Sequence, residues 1–178
     1  MMLAELLVLT NLAFVAAFDT ETRCPSWVAY DLDPAEIVVT NRLAVPFVAD
    51  PRVPESDNGA DYVGSGYDRG HLAPAADFNF SEDALRETYR FTNIAPQLPT
   101  FNRGEWANVE AEVRRLGRGG RVHVLTYLEF DPLVTNRIGR VRVPSAFVKV
   151  VHGWFGVRQW RVSNLPTGTV SVGGQKER

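Results

Sequence analysis

Cysteine is almost missing from this chain: Cys24 is the only one among 178 residues. An internal disulfide is therefore excluded, and so is any zinc cluster built on several thiolates. Cys24 itself reads as a small, semi-buried hydrophobe, because no catalytic-cysteine context surrounds it. Histidine is scarce too, with three in the chain. Three dispersed histidines and one cysteine do not make a structural zinc site, which wants four such ligands together. Long hydrophobic runs are also lacking. The N-terminal stretch MMLAELLVLTNLAFVAAFD is apolar, but Glu5 and Asn11 interrupt it, and it is too short and broken for a convincing membrane span. No Lys or Arg precedes it, as one would in a secretory signal, although Val15-Ala16-Ala17 is a passable cleavage context. We read residues 7–18 as a buried strand of the domain. Secretion stays open, and the compartment is not set by the sequence.

What is present is ordinary globular composition, with 45% apolar and 22% charged residues. That excludes a disordered chain and suits one domain over residues 1–178, with its core over about 8–166 and a polar tail at 173–178. The net charge of −2 hides an asymmetry. Residues 1–102 carry 6 basic and 15 acidic side chains, a net −9, whereas residues 103–178 carry 13 basic and 6 acidic, a net +7. The C-terminal part, with Arg114, Arg115, Arg118 and Arg121 close together, leans toward a polyanionic partner, although arginines at a helix end also suit the macrodipole.

A polar turn at residues 19–23 separates the first apolar run from Trp27–Leu32, which predicts a hairpin. Residues 44–66 hold three prolines and several Gly, Asp and Ser residues, and read as loop. Ser81 followed by Glu82 and Asp83 predicts an N-capped short helix. Phe91 to Ala95 reads as a short strand closed by Pro96. The clearest helix runs from about Arg103 to Leu116, where Gly117 stops it, with Trp106, Val109, Val113 and Leu116 on one face. Arg121–Tyr127 alternates as a strand, and Ile138–Val151 and Trp154–Val162 supply more, broken near Pro144 and Gly153. Strands dominate over two helices, which makes the class α+β.

Two clusters could carry chemistry. The first is Asp68-Arg69-Gly70-His71, followed by Leu72-Ala73-Pro74. A lone histidine is commonly a structural hydrogen-bonder. Here Gly70 would let another group approach the backbone, Arg69 could neutralise an anion, and a largely neutral imidazole could take a proton from water. Asp68 would pair with Arg69 or hold the loop. The second cluster is Asn102-Arg103-Gly104-Glu105-Trp106, with Glu110 and Arg114 further on. Asn102 would ordinarily be an N-cap, yet its carbonyl also suits Mg²⁺, an ion that takes few protein ligands and keeps several waters. Glu110 and Arg114 would ordinarily be a surface pair four residues apart. Facing a site, they could instead hold water and a phosphate oxygen.

These clusters, with Thr92-Asn93-Ile94-Ala95-Pro96-Gln97 between them, resemble the DNA/RNA non-specific endonucleases of the ββα-metal type, which include endonuclease G. Softer similarity reaches Trp27–Tyr30 and Val143–Val150, so the resemblance covers roughly residues 8–166. It implies a ββα-metal nuclease fold in which a central antiparallel sheet is flanked by helices. His71 would lie on a strand and Asn102 at a helix entrance. It implies that His71 is the general base, that Asn102 is the protein ligand of a single Mg²⁺ (other divalent cations such as Mn²⁺ are compatible), and that Glu110 orients metal-bound water. Arg69 and Arg114 would stabilise the phosphate, while Asn93 and Asp68 would support their neighbours. The implied activity is Mg²⁺-dependent hydrolysis of DNA and/or RNA with little sequence preference. Nucleic acid is the implied partner, a homodimer is compatible, and no membrane is called for. A catalytically inactive nucleic-acid-binding relative is the alternative. One departure stands out: many members have a Thr-Gly-Pro turn where this chain has Thr126-Tyr127-Leu128-Glu129-Phe130.

Overall fold

In the computed structural model, residues 5–37, 43–133 and 135–165 are described; the polar tail expected at 173–178 lies outside them. The first elements in the chain are strands β1 (Leu6–Thr10), β2 (Phe14–Asp19), β3 (Cys24–Leu32) and β4 (Asp68–His71). Helix α1 (Glu82–Thr88) and strand β5 (Ile94–Gln97) follow, then a π-helical turn, Phe101–Trp106, that runs into helix α2 (Ala107–Gly117). The chain closes with β6 (Val122–Glu129), the two-residue strands β7 (Arg137–Ile138) and β8 (Val141–Arg142), β9 (Ala146–Gly153) and β10 (Gly156–Ser163). Six strands form the main sheet in the order β1-β2-β3-β6-β9-β10, and every pairing is antiparallel. This is an α+β chain with few helices. β4 and β5 form a separate two-stranded ribbon, and so do β7 and β8.

Alternation explains the layering. Val122, Val124, Thr126 and Leu128 of β6 point inward and are buried, while His123 and Leu125 are exposed on the other face. Phe147, Lys149 and Val151 of β9 share the inner side. Against it lies the apolar face expected of the helix: Trp106, Val109, Val113 and Leu116 are all buried, and Trp106 meets Phe147 at 5.4 Å between ring centroids. Burying that face, not helix propensity, stabilises so short a helix. Ser81 caps α1 as expected, its hydroxyl accepting from the Ala84 amide at 3.3 Å. The outer face of the sheet keeps Val8, Leu125 and Val157 exposed.

Several expectations change. Residues 7–18 are not one strand but two, reversing at Asn11-Leu12-Ala13 with the Asn11 amide donating to the Phe14 carbonyl at 2.9 Å. A reversal lets β1 pair with β2, which a single strand could not do. Residues 91–93 form a 3-10 turn, and Pro96 lies inside β5 rather than ending it. Proline is tolerated there because β5 belongs to a ribbon of only two strands, where one edge needs no amide donor. The helix begins at Ala107, because Phe101–Trp106 winds as a π turn. Cys24 is wholly buried, and burial pushes its thiol far above the ordinary range.

Candidate active site

The first cluster sits on β4, where Arg69 and His71 leave the same side of the strand because side chains alternate. Between them, Gly70 lies against Gln97, and a Cβ at this position would fall 2.0 Å from the Gln97 Cδ. The close approach expected at Gly70 is therefore that of a buried neighbour from the paired strand. The His71 ring meets Tyr89 edge-on at 4.8 Å and Phe47 at 5.6 Å. Phe47 is held there by its neighbour Val48, whose backbone bonds to Tyr89 and Phe91 at 3.1 and 2.9 Å. The Nε2 of His71 is buried and has no hydrogen-bond partner among the described residues. Burial drives the imidazole down to about 4, so at neutral pH it is uncharged and able to accept a proton.

Phe47 also touches Arg69, whose guanidinium carbon lies 5.5 Å from its centroid and 5.6 Å from that of Tyr62. The only hydrogen bond from this guanidinium among the described residues is a long one, to the Gly59 carbonyl at 3.4 Å. Most of its donors remain unspent. Asn93 is fully buried and clamps the segment after His71. Its Oδ1 accepts from the Ala73 amide, and its Nδ2 donates to the carbonyls of Ala73 and Thr88, each at 2.9 Å.

Asn102 lies in the π turn and is not an N-cap; its side chain instead donates from Nδ2 to Asp68 at 2.9 Å. Asp68 does not pair with Arg69. It accepts from Arg103 at 3.0 and 2.8 Å as well as from Asn102. Burial would raise the Asp68 carboxyl, but the bonds from Arg103 and Asn102 outweigh it and hold the group below its usual range. The alternation of β4 accounts for this: Asp68 leaves the strand on the side opposite Arg69. With its nitrogen committed, the Asn102 amide keeps an Oδ1 that accepts no hydrogen bond among the described residues. No group of three or more His, Cys, Asp and Glu there could cage a metal. One neutral oxygen on a half-buried side chain suits Mg²⁺, which keeps several waters, and does not suit zinc.

Glu110 and Arg114 do not form the expected pair. Arg114 bonds to Asp77 at 3.0 Å, and Asp77 also accepts from the Tyr30 hydroxyl at 2.6 Å. Asp77 is 1% exposed, so the arginine turns to the more deeply desolvated carboxylate, where a charge partner matters most. Burial pushes the Glu110 carboxyl up from the ordinary glutamate range, against the pull of Lys149 and with the further push of Asp77.

The two clusters, 31 positions apart in sequence, thus meet directly at Asp68 and Asn102. Phe47, Tyr89, Asp77, Tyr30 and Lys149 were not singled out from the sequence. Asp77 stands three residues beyond Pro74, where the quoted cluster ends, so it was within view. Lys149 had a signal as well, as a charged residue on the inward phase of an apolar strand. Phe47 had none.

The sequence profile of the DNA/RNA non-specific endonucleases matches residues 5–167. The chain is 36% identical over 159 residues to a mitochondrial nuclease, Nuclease 1, of Schizosaccharomyces pombe, covering 79% of this chain and 49% of that protein. It is 32% identical over 177 residues to mitochondrial endonuclease G of Bos taurus, covering 86% and 58%. The chain spans about half the length of these curated relatives. Among solved structures, a chain of an EndoG/EndoGI complex superimposes with a TM-score of 0.80 at 28% identity, over 89% of this chain and 74% of that one.

Proposed function

The chain belongs to the DNA/RNA non-specific endonucleases, and we propose that it is a Mg²⁺-dependent nuclease hydrolysing phosphodiester bonds of DNA and/or RNA with little sequence preference. The observation that carries this reading is that one short strand, β4, bears both His71, held uncharged by burial, and Asp68, which orients the Asn102 amide. We further read the ribbon β4–β5 with the π turn and α2 as the ββα-metal unit.

In this reading Asn102 would hold Mg²⁺ through Oδ1. Bound there, the ion supplies positive charge for the phosphate and the departing oxygen. His71 takes a proton from water on its imidazole as the water oxygen bonds to phosphorus and the bond from phosphorus to the leaving oxygen breaks. Arg69, with donors unspent, and Arg114, held by Asp77, stabilise charge building on the phosphate oxygens. Glu110 orients water. Contacts to sugar and phosphate say little about bases, which accounts for weak sequence preference.

The test is nicking of supercoiled plasmid, and of an RNA of similar size, with Mg²⁺ and with chelator. Cleavage with Mg²⁺ that chelator abolishes is expected. His71→Ala is expected to lower the rate by about 10²- to 10⁴-fold with an unchanged circular dichroism spectrum. Salt-dependent binding without cleavage under any divalent metal would overturn the reading and favour a nucleic-acid-binding relative.

A further inference from the structure

The outer face of the sheet carries a cluster that the nuclease reading leaves unused. Two of the three histidines in the chain, His123 of β6 and His152 of β9, stand directly opposite each other on neighbouring strands. On the other side of His123, Asp31 of β3 is its cross-strand partner. Asp31, His123 and His152 thus form one row across three adjacent strands. All three are exposed, and they line one open groove with Leu12 and Leu125.

The spacing of the row suits a chelate. Residues directly opposite each other on antiparallel strands have Cβ atoms about 4.5–5.5 Å apart, close enough for two imidazoles to reach one ion. The rings of His123 and His152 already lie nearly parallel, with 6.0 Å between centroids and 18° between planes. An ion held by both needs a nitrogen of each ring at about 2.0–2.1 Å. Because both side chains are exposed, rotation about their side-chain bonds closes the gap without disturbing the sheet.

The carboxylate supplies an independent feature. The Nδ1 of His123 lies 2.6 Å from the Oδ1 of Asp31. A carboxylate only accepts, so Nδ1 carries the proton, and a neutral ring then presents its lone pair at Nε2. Metal-bound histidines are held in the same way, by a carboxylate on the nitrogen away from the ion. Spent on His123, Asp31 is an outer partner and not a third ligand, in keeping with the lack of any three-residue cage among the described residues. Two imidazoles completed by water select ions such as Cu²⁺, Ni²⁺ and Zn²⁺, with Cu²⁺ held tightest, whereas Mg²⁺ prefers oxygen ligands.

We propose that His123 and His152 form a surface site for a divalent transition ion, with Asp31 orienting the His123 ring and water filling the remaining positions. The ion would tie the start of β6 to the end of β9. The site shares no residue with the candidate active site, and the inference does not rest on the nuclease reading.

The experiment titrates the full chain with Cu²⁺ by calorimetry in a non-coordinating buffer at pH 8 and records the electron paramagnetic resonance spectrum of the complex. One tight equivalent with hyperfine coupling to two nitrogens is expected, with Zn²⁺ weaker and excess Mg²⁺ without effect. His123→Ala and His152→Ala should each weaken binding by at least about 100-fold, the upper end of what losing an outer partner costs, and Asp31→Ala by about 10-fold. Circular dichroism should show all three variants folded, since each changes an exposed side chain. His71→Ala should bind Cu²⁺ as the unmodified chain does. A smaller loss in either histidine variant, coupling to one nitrogen, Asp31→Ala binding at full affinity, or loss of the tight equivalent in His71→Ala would overturn the proposal.

Discussion

His71 and Asn102 are secured in opposite ways. Around His71 the neighbours are aromatic: Phe47 and Tyr89 pack on the ring, and Nε2 is left without a partner. Around Asn102 and Arg114 the fixing contacts are hydrogen bonds, from Asn102 to Asp68, itself held by Arg103, and from Arg114 to Asp77, itself held by Tyr30. The difference suits the roles proposed above for the two groups. A general base must stay uncharged, and desolvation by hydrocarbon provides that. A group meant to hold a cation or a phosphate needs a direction, and hydrogen bonds impose one.

The comparison can be broken on its polar side first. Asn102→Ala should lower cleavage by about 100-fold at fixed Mg²⁺ and displace the rate curve to higher metal concentration. Initial rates across a Mg²⁺ series check this, and an unchanged curve would remove Asn102 from the metal site. Asp77→Asn leaves Arg114 present but poorly held, and should cost about 10- to 100-fold, mostly in kcat. Single-turnover cleavage is the measurement, and a wild-type rate would mean Arg114 needs no support.

The smallest expected effect lies on the aromatic side. Phe47→Ala admits water to His71 and should raise its imidazole from about 4 toward the free value of about 6.5, with cleavage at pH 8 changed only about threefold or less. NMR titration of the ring protons reads the shift directly. The same displacement predicts an acid sensitivity. A histidine held below its free value contributes its full stability above about 6.5 and loses it as pH falls toward its folded value, because the unfolded chain takes up the proton first. Acid unfolding of the Phe47 variant should show a shallower loss over that window.

Much was written locally in the sequence. Ser81 announced α1, the spacing of Trp106, Val109, Val113 and Leu116 announced the buried face of α2, and the polar turn at 19–23 announced the β2–β3 hairpin. Each depends on residues a few positions apart, where chain geometry leaves few choices. The run at 7–18 was misjudged twice, since it reverses at Asn11 and its first half is an edge strand with Val8 exposed; apolar character fixes neither a reversal nor which face is covered. The candidate residues His71, Asn102, Glu110 and Arg114 could likewise be named from their types and order.

Their partners could not. Asp68 has Arg69 beside it, yet it binds Asn102 and Arg103, 34 and 35 positions away. Arg114 has Glu110 one turn before it, yet it binds Asp77, 37 positions back. In both cases the sequence neighbour lost to a distant group, since burial decides which charges must be matched, and burial is a property of packed elements. The sequence by itself determined which groups could react. The tertiary structure decided which of them are wet, which are dry, and which carboxylate each arginine answers, because those depend on where the strand at His71 and the helix of Glu110 come to lie over the sheet.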